Sequence, residues 1–476
     1  MTAYELYETV IGLEVHVELK TRTKIFCSCS TTFGAEPNTQ VCPVCLGLPG
    51  TLPVLNRKVV DLAAAAGLCL NCKISNRSKH DRKNYFYPDL PKAYQISQFD
   101  NPLCSDGHVE IQTEKGKKAV GITRIHIEED AGKLVHKDGA TLIDCNRCGV
   151  PLIEIVSEPH MSSGEEAVAF LKKLRSILLF AGVSDCKMNE GSLRCDVNLS
   201  VRKHGAPLGV RCELKNLNSF KFIEKAIEYE RKRQIDAIER GETIIQETRR
   251  FDESSCRTFS MRVKEEQSQY RFFEEPDLAH IVLTDDDIDS IRRSLPLLPD
   301  ERKVKYLEKY DIPLADGEIL TESLESADYF EKASAISKYP RLVSNMIISE
   351  IMGIMEQDDS IARIAPAHLA SVADMAGDGT INSATAKKLI KEMWVSDFDP
   401  CEKVKREGLQ QINDENCVRV FVKSAIEKSG KAVDDYKKGK LTAARSIVGR
   451  AMGESRGRAN PELVAKLVEE ELSAIL

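Results

Sequence analysis

The stretch Ile11-Gly12-Leu13-Glu14-Val15-His16-Val17-Glu18-Leu19 decides the fold. Ile11, Leu13, Val15, Val17 and Leu19 fall on one face of an extended chain, and Glu14, His16 and Glu18 on the other. A side-chain period of two marks a strand with one buried and one polar face. The pattern returns in Leu193–Arg202, where Leu193, Cys195, Val197, Leu199 and Val201 oppose Arg194, Asp196, Asn198, Ser200 and Arg202. After the turn-rich stretch Lys203–Gly209, Val210, Cys212 and Leu214 alternate with Arg211, Glu213 and Lys215. These last two runs read as a hairpin.

Two helices punctuate this region. Ser163–Ala181 opens on a serine cap with Glu165 and Glu166 behind it and stops at Gly182. Asn218–Arg240 is long, amphipathic and charged, and stops at Gly241. Strands with a few covering helices imply an α+β layer. Past residue 295 the periodicity turns helical almost throughout, with Pro296 and Pro299 at the change. A further joint is expected near Pro400. The expected organisation is a largely antiparallel α+β domain over 1–294, followed by two all-α domains over 295–405 and 406–476.

The chain has 476 residues, 42% hydrophobic and 30% charged, with a net charge of −7. That suits a folded protein of two to four domains and excludes one that binds nucleic acid through its global field. Any RNA contact must come from local patches. The first eight residues carry Glu5 and Glu8 and no apolar run of the secretory kind. Apolar runs such as Leu62–Leu70 and Ile177–Ala181 are too short to span a bilayer. A cytoplasmic protein is expected. Its 15 cysteines then point to metal or core thiols before disulfides.

Cys27-Ser28-Cys29 and Cys42-Pro43-Val44-Cys45 are two close pairs with 12 residues between them. This is the knuckle spacing of a structural four-thiolate zinc site, set against the alternative of four unliganded thiols in a loop. Cys69 and Cys72 lie at core spacing at the end of an Ala-rich helical run, and Cys145 and Cys148 lie in a turn-like setting.

The polar strand faces carry acids. Glu14 and His16 project the same way, and Asp196 and Glu213 lie on the polar faces of the hairpin. Gly121–Lys133 ends a strand in Glu128, Glu129 and Asp130, and Glu154 interrupts the apolar run Pro151–Val156. An unpaired carboxylate in such a run is costly. Converged, these groups would suit Mg²⁺ or Mn²⁺; unconverged, they are a solvated face paired to Arg124, Arg194 and Arg211. No phosphate-cradling glycine loop, kinase catalytic loop or nucleophile elbow is present.

Two stretches could meet nucleic acid. Lys437, Lys438, Lys440, Arg445, Arg450, Arg456 and Arg458 are opposed by Glu454 alone, and such a patch can hold phosphates. Asp81–Gln98 mixes Arg82, Lys83 and Lys92 with Tyr85, Phe86, Tyr87 and Tyr94, a combination that can stack on a single-stranded end or hold ATP. The bland alternatives are a solvated helical face and a packed loop.

Glu8-Thr-Val-Ile-Gly-Leu-Glu-Val-His-Val-Glu-Leu-Lys20 closely resembles the opening motif of the tRNA-dependent amidotransferase B subunits. So do Asp81–Gln98, Gly121–Lys133, Pro151–Pro159, Gly191–Asn198, Glu213–Phe220, Gln246–Asp252 and Arg458–Val464. The resemblance covers essentially the whole chain. It implies a cradle domain followed by a helical domain and a helical tail that grips the outer corner of tRNA. It implies ATP-dependent phosphorylation of the side-chain carboxyl of Glu-tRNA(Gln) or Asp-tRNA(Asn), then displacement of phosphate by ammonia. The family's Mg²⁺ site, carried over by position, falls on Glu14, His16, Glu129, Glu154, Asp196 and Glu213. The cysteine knuckle matches members with structural Zn²⁺. With no amidase motif in this chain, the ammonia source is expected in an amidase partner, joined by a small third subunit in a heterotrimer. The length, without an inserted domain, matches the bacterial and organellar type. Two competing readings are a zinc-knuckle RNA-binding protein without catalysis and a stand-alone metal-dependent hydrolase.

Overall fold

The computed structural model describes residues 3–114, 116–263, 270–356, 360–438 and 440–475. The chain divides into two compact units, Met1–Leu298 and Pro299–Leu476. The division lies slightly beyond the change of periodicity because Leu295 and Leu298 still pack on the first unit's core, while Pro299 opens a helix of the second.

The first unit is built on a nine-stranded sheet. Its order is Arg257–Val263, Glu247–Asp252, Cys212–Lys215, Leu193–Lys203, Tyr7–Glu18, Pro151–Ser157, Gly116–Glu129, Cys104–Thr113 and Lys73–Ile74. Tyr7–Glu18, here β1, lies at the centre. One pairing is parallel, that of Cys212–Lys215 with Glu247–Asp252, and the rest are antiparallel. A helix, Phe220–Glu239, runs between those two strands in sequence and returns the chain to the same end, which a parallel pair requires.

The alternation seen in the sequence sets the two faces. Ile11, Leu13, Val15 and Val17 are 0–1% exposed and join Ile125, Ile127, Ile153, Val197 and Leu199 in one core. Among the described residues four α-helices belong to this unit: α1 (Arg57–Cys69), α2 (Gly164–Phe180), α3 (Phe220–Glu239) and α4 (Asp285–Ser294). Ser163 and Ser219 cap α2 and α3 by accepting from the backbone N–H groups of Glu166 and Phe222. At α1 the approach to the sheet is very close, since a Cβ on Gly67 would stand 2.5 Å from Cys104 Sγ. Cys69 and Cys72 are buried in that core beside it.

The second unit is helical and holds two cores. One gathers Tyr306, Phe330, Leu369, Leu389 and Val404; the other gathers Val418, Ile447, Val464, Leu467 and Leu472. Pro400 opens the helix Pro400–Arg406, whose Asp399 caps it and whose Val404 belongs to the first of these cores. The change of core therefore lies past Arg406, and by Ile412 the backbone bonds to Arg458 at 2.8 Å. Among the described residues no helix is long and apolar enough to cross a membrane.

Candidate active site and metal centres

The register of the central strands brings the polar residues together. On β1, Glu14 stands opposite Asp196 on one side and His16 opposite Glu154 on the other. Asn198 stands opposite Glu213, and Glu154 opposite His126. Two neighbouring groups result, each with its ligand atoms within 4.8 Å of one another: His16, Glu128 and Glu154, and Glu14, Asp196 and Glu213.

In the first group His16 Nε2 lies 3.4 Å from Glu154 and 3.4 Å from Glu128. His126 Nε2 lies 3.5 Å from Glu154 and 3.7 Å from Glu128. Burial opposes a charge on His16, but the hydrogen bond and field of Glu154, with Glu128 and Asp196, outweigh it and raise its pKa to about 9. Burial likewise works against ionised Glu154, yet His126, His16 and the ammonium of Lys83 hold it well below the usual carboxylate range. Glu128 is also held low: burial opposes ionisation, and His126 with His16 overcomes it.

The second group is an ion-pair cluster. Lys215 Nζ sits on Asp196 and lies 3.3 Å from Glu213. Burial disfavours that ammonium, but Asp196 and Glu213 raise its pKa overall. Asn198 donates to Glu14 at 2.8 Å, and Thr248 donates to Glu213 at 2.7 Å.

Of the six positions carried over by resemblance, five lie in these two groups. Glu129 does not. Successive side chains on a strand point to opposite faces, so Glu128 turns toward His16, while Glu129 turns the other way. There it pairs with Lys92 and accepts from the backbone N–H of Ile96 at 2.9 Å. Asp130, the third consecutive acid, is bound by Arg194 at 2.7 Å. Strand alternation in the sequence does not decide between Glu128 and Glu129, and the sequence reading does not single out His126, Lys215 or Asn198. The signal for His126 is its spacing of two from Glu128, the same spacing as Glu14 and His16.

Arg82, Lys83 and Lys92 do not converge on one ligand. Arg82 is spent on Glu275, with two bonds of 2.7 Å, and stacks 4.4 Å over Tyr94. Lys83 lies over the rings of Tyr270 and Tyr85 at 5.1 and 5.7 Å, and its charge reaches Glu154. Lys92 pairs with Glu129.

Cys27, Cys29, Cys42 and Cys45 bring four sulfurs within 4.8 Å of one another. Cys42 and Cys45 Sγ are 3.9 Å apart, close to the edge of about 3.8 Å for a tetrahedron with metal–sulfur bonds of about 2.3 Å. The donor set therefore fits zinc. The knuckle turns at Gly47, where φ is +66° and an added Cβ would stand 2.6 Å from Lys92 Cγ. A hydrogen bond from Cys27, with Lys24 nearby, pulls the pKa of Cys45 down to about 4, and the same bond pushes Cys27 up. A cavity of about 160 Å³ lies between the knuckle and the Lys92–Glu129 pair, walled by Lys24, Phe26, Cys45 and Tyr94.

In the tail, Lys437, Lys438, Lys440, Arg445, Arg450 and Arg456 are exposed. Lys440 lies 3.3 Å from Asp435, and Arg450 donates to the carbonyl of Lys428. Arg458 is half-buried and donates to the carbonyl of Gly408 at 3.0 Å, so it acts as a staple of the fold.

Comparison with known proteins bears on the whole chain. The model of the GatB/GatE catalytic domain matches residues 9–289, and that of the GatB domain matches residues 328–472. The B subunit of the aspartyl/glutamyl-tRNA(Asn/Gln) amidotransferase of Caldanaerobacter subterraneus subsp. tengcongensis is 54% identical over 98% of this chain and 99% of its own length. Its counterpart in Caldicellulosiruptor saccharolyticus is 52% identical over 98% of this chain and its full length. The counterpart in Clostridium tetani is 50% identical, again over 98% of this chain.

Proposed function

The chain belongs to the family of aspartyl/glutamyl-tRNA(Asn/Gln) amidotransferase B subunits, and from that premise we propose that it activates and amidates misacylated tRNA. The substrates are Glu-tRNA(Gln), Asp-tRNA(Asn) or both. The γ-phosphoryl of ATP passes to an oxygen of the side-chain carboxylate, and ADP leaves. The nitrogen of ammonia then bonds to the acyl carbon, the carbon–oxygen bond to phosphate breaks, and inorganic phosphate departs with the amide formed. Activation is needed because a carboxylate is a poor acceptor for ammonia, whereas an acyl phosphate has a good leaving group.

The observation that carries this reading is the pair of acidic groups sharing β1 through Glu14 and His16. One imidazole with carboxylates is a donor set suited to Mg²⁺. His16, Glu128 and Glu154 would hold one ion, and Glu14, Asp196 and Glu213 are the candidates for a second. Bound Mg²⁺ would supply neutralisation of phosphate oxygens. Lys83, whose charge reaches Glu154, would contribute positive charge to the same field. The four knuckle cysteines would hold a structural Zn²⁺.

The first unit is the catalytic cradle in this reading, the helices to about residue 405 form a connecting domain, and 406–476 binds tRNA through its basic residues. Ammonia comes from an amidase subunit, and a small third subunit completes the assembly. The test is ADP release by the chain assembled with its amidase partner, with and without Glu-tRNA(Gln), beside Asp196→Asn. Release that needs the misacylated tRNA and is lost in the variant is expected. Release indifferent to both would remove the phosphorylation step from this acidic face.

A further inference from the structure

Lys24 is fully buried, at 0% exposure, yet among the described residues no carboxylate pairs with it. Its ammonium donates instead to Cys45 Sγ at 3.6 Å and to the carbonyl oxygen of Cys145 at 3.2 Å. A buried ammonium is costly unless an anion answers it, and the side-chain acceptor it touches is a knuckle sulfur. A zinc ion bound by four thiolates answers it well, because the ion cancels half of their charge and leaves the centre doubly negative.

From this arrangement we propose that Lys24 is the resident counter-cation of a zinc centre on Cys27, Cys29, Cys42 and Cys45, and that the Cys145–Cys148 turn is the clamp that holds it there. The proposal rests on reading those four cysteines as a zinc site.

The backbone is arranged for such a role. Lys24 bonds through its own N–H to the carbonyl of Cys29 at 2.9 Å, and the next residue, Ile25, bonds to Gly149 at 2.9 Å. Lys24 thus touches the knuckle at Cys29 by its main chain and at Cys45 by its side chain. The clamp is in turn tied to the loop between the two cysteine pairs. Asn38 accepts from the N–H of Cys145 at 2.7 Å and donates to the carbonyl of Ile143 at 2.9 Å. Asn146 accepts from the N–H of Gln40 at 2.8 Å and donates to the carbonyl of Glu36 at 2.7 Å.

This assigns a part to the Cys145–Cys148 pair, which the sequence places in a turn-like setting. Cys145 and Cys148 are buried and stand outside the four-sulfur group. What Cys145 offers is its carbonyl oxygen, which also accepts from the N–H of Cys148 at 3.1 Å. Groups that hydrogen-bond to metal ligands tune affinity about 10- to 100-fold. A cation on the thiolate should also matter more than the bond's geometry, because the centre carries excess negative charge.

The test is zinc affinity of the full-length chain, read by competition with a chromophoric chelator, for wild type, Lys24→Met and Lys24→Arg. K24M is expected to raise the dissociation constant about 10- to 100-fold, and K24R to stay close to wild type. Should K24M fail to fold, Lys24→Gln keeps a hydrogen-bonding side chain without charge and is expected to lose affinity in the same way. Wild-type affinity in the neutral variant, or equal loss in K24R, overturns the counter-cation role. A wild-type chain that takes up no zinc overturns the zinc reading itself, which is a separate outcome.

Discussion

His16 and Glu154 face one another across two adjacent antiparallel strands, with Nε2 3.4 Å from a carboxylate oxygen. Their mutual charge explains why a half-buried histidine has a pKa raised to about 9. Because the folded value lies above the ordinary 6.5, the pairing stabilises the metal-free fold below about pH 6.5, and that contribution fades as pH rises to about 9. In Glu154→Gln burial dominates, and the pKa of His16 should fall, which an NMR titration of the imidazole reads directly. The same variant should slow tRNA-dependent ADP release on the order of 100-fold, since it removes one of the proposed Mg²⁺ ligands. An unshifted His16 would mean that Glu154 is not its governing partner.

Lys215 occupies the space among Glu14, Asp196 and Glu213 that a divalent cation would contest. Lys215→Met leaves those carboxylates facing one another without a positive charge. In the presence of a chelator the first unit should lose about 1–3 kcal/mol, a value discounted for the partial exposure of the ammonium. Mg²⁺ or Mn²⁺ should restore part of the loss and bind more tightly than to wild type. Thermal unfolding with and without the ions checks both. A variant as stable as wild type in chelator would show that the ammonium only occupies space there.

Much of the sheet was legible because β1 and Leu193–Lys203 obey a strict period of two, and burial of one face fixes their register. Convergence was not legible. The opposition of Glu14 to Asp196, or of Glu154 to His16, is set by pairing between segments more than 100 residues apart, which no local pattern reports. The choice between Glu128 and Glu129 shows the limit most clearly. Adjacent acids at a strand end differ by a half-turn, and where the strand stops decides which one faces the site. The carried-over position falls on Glu129, while the registered strand aims Glu128 at His16. The role of Lys24 was hidden for another reason: a lysine between strands gives no sign of burial until the knuckle and the Cys145–Cys148 turn close over it.

His80 should make the first unit acid-sensitive. It is buried at 2% exposure, both ring nitrogens lack a hydrogen-bond partner among the described residues, and the ring meets Phe26 edge-on at 5.9 Å. Burial, opposed in part by Glu275, lowers its pKa to about 4. The folded chain therefore binds fewer protons than the unfolded chain between about pH 4 and 6.5, and stability falls as pH drops through that window. The loss from this residue should be about 2 kcal/mol by pH 5. His80→Leu should remove it, so urea midpoints measured at pH 7 and pH 5 should converge in the variant. Equal acid sensitivity in both proteins would shift the cause to the paired carboxylates.

The tail offers a way to separate phosphate contact from folding. Arg450 and Arg458 bond to carbonyls of Lys428 and Gly408, so replacing them would disturb the helices that carry the others. Lys437, Lys438, Arg445 and Arg456 are exposed on that surface. Alanine at these four positions should leave the Val418–Leu472 core intact. If they hold tRNA phosphates, affinity should fall, and the plot of log affinity against log salt should flatten by about 3 units. Removal of 406–476 should weaken binding at least as much, while ATP binding by the first unit persists. Those two variants must agree in the salt they no longer release. A deletion that loses affinity beside a four-alanine variant that keeps it would mean that the tail acts by its shape, with the basic residues merely solvating the helices.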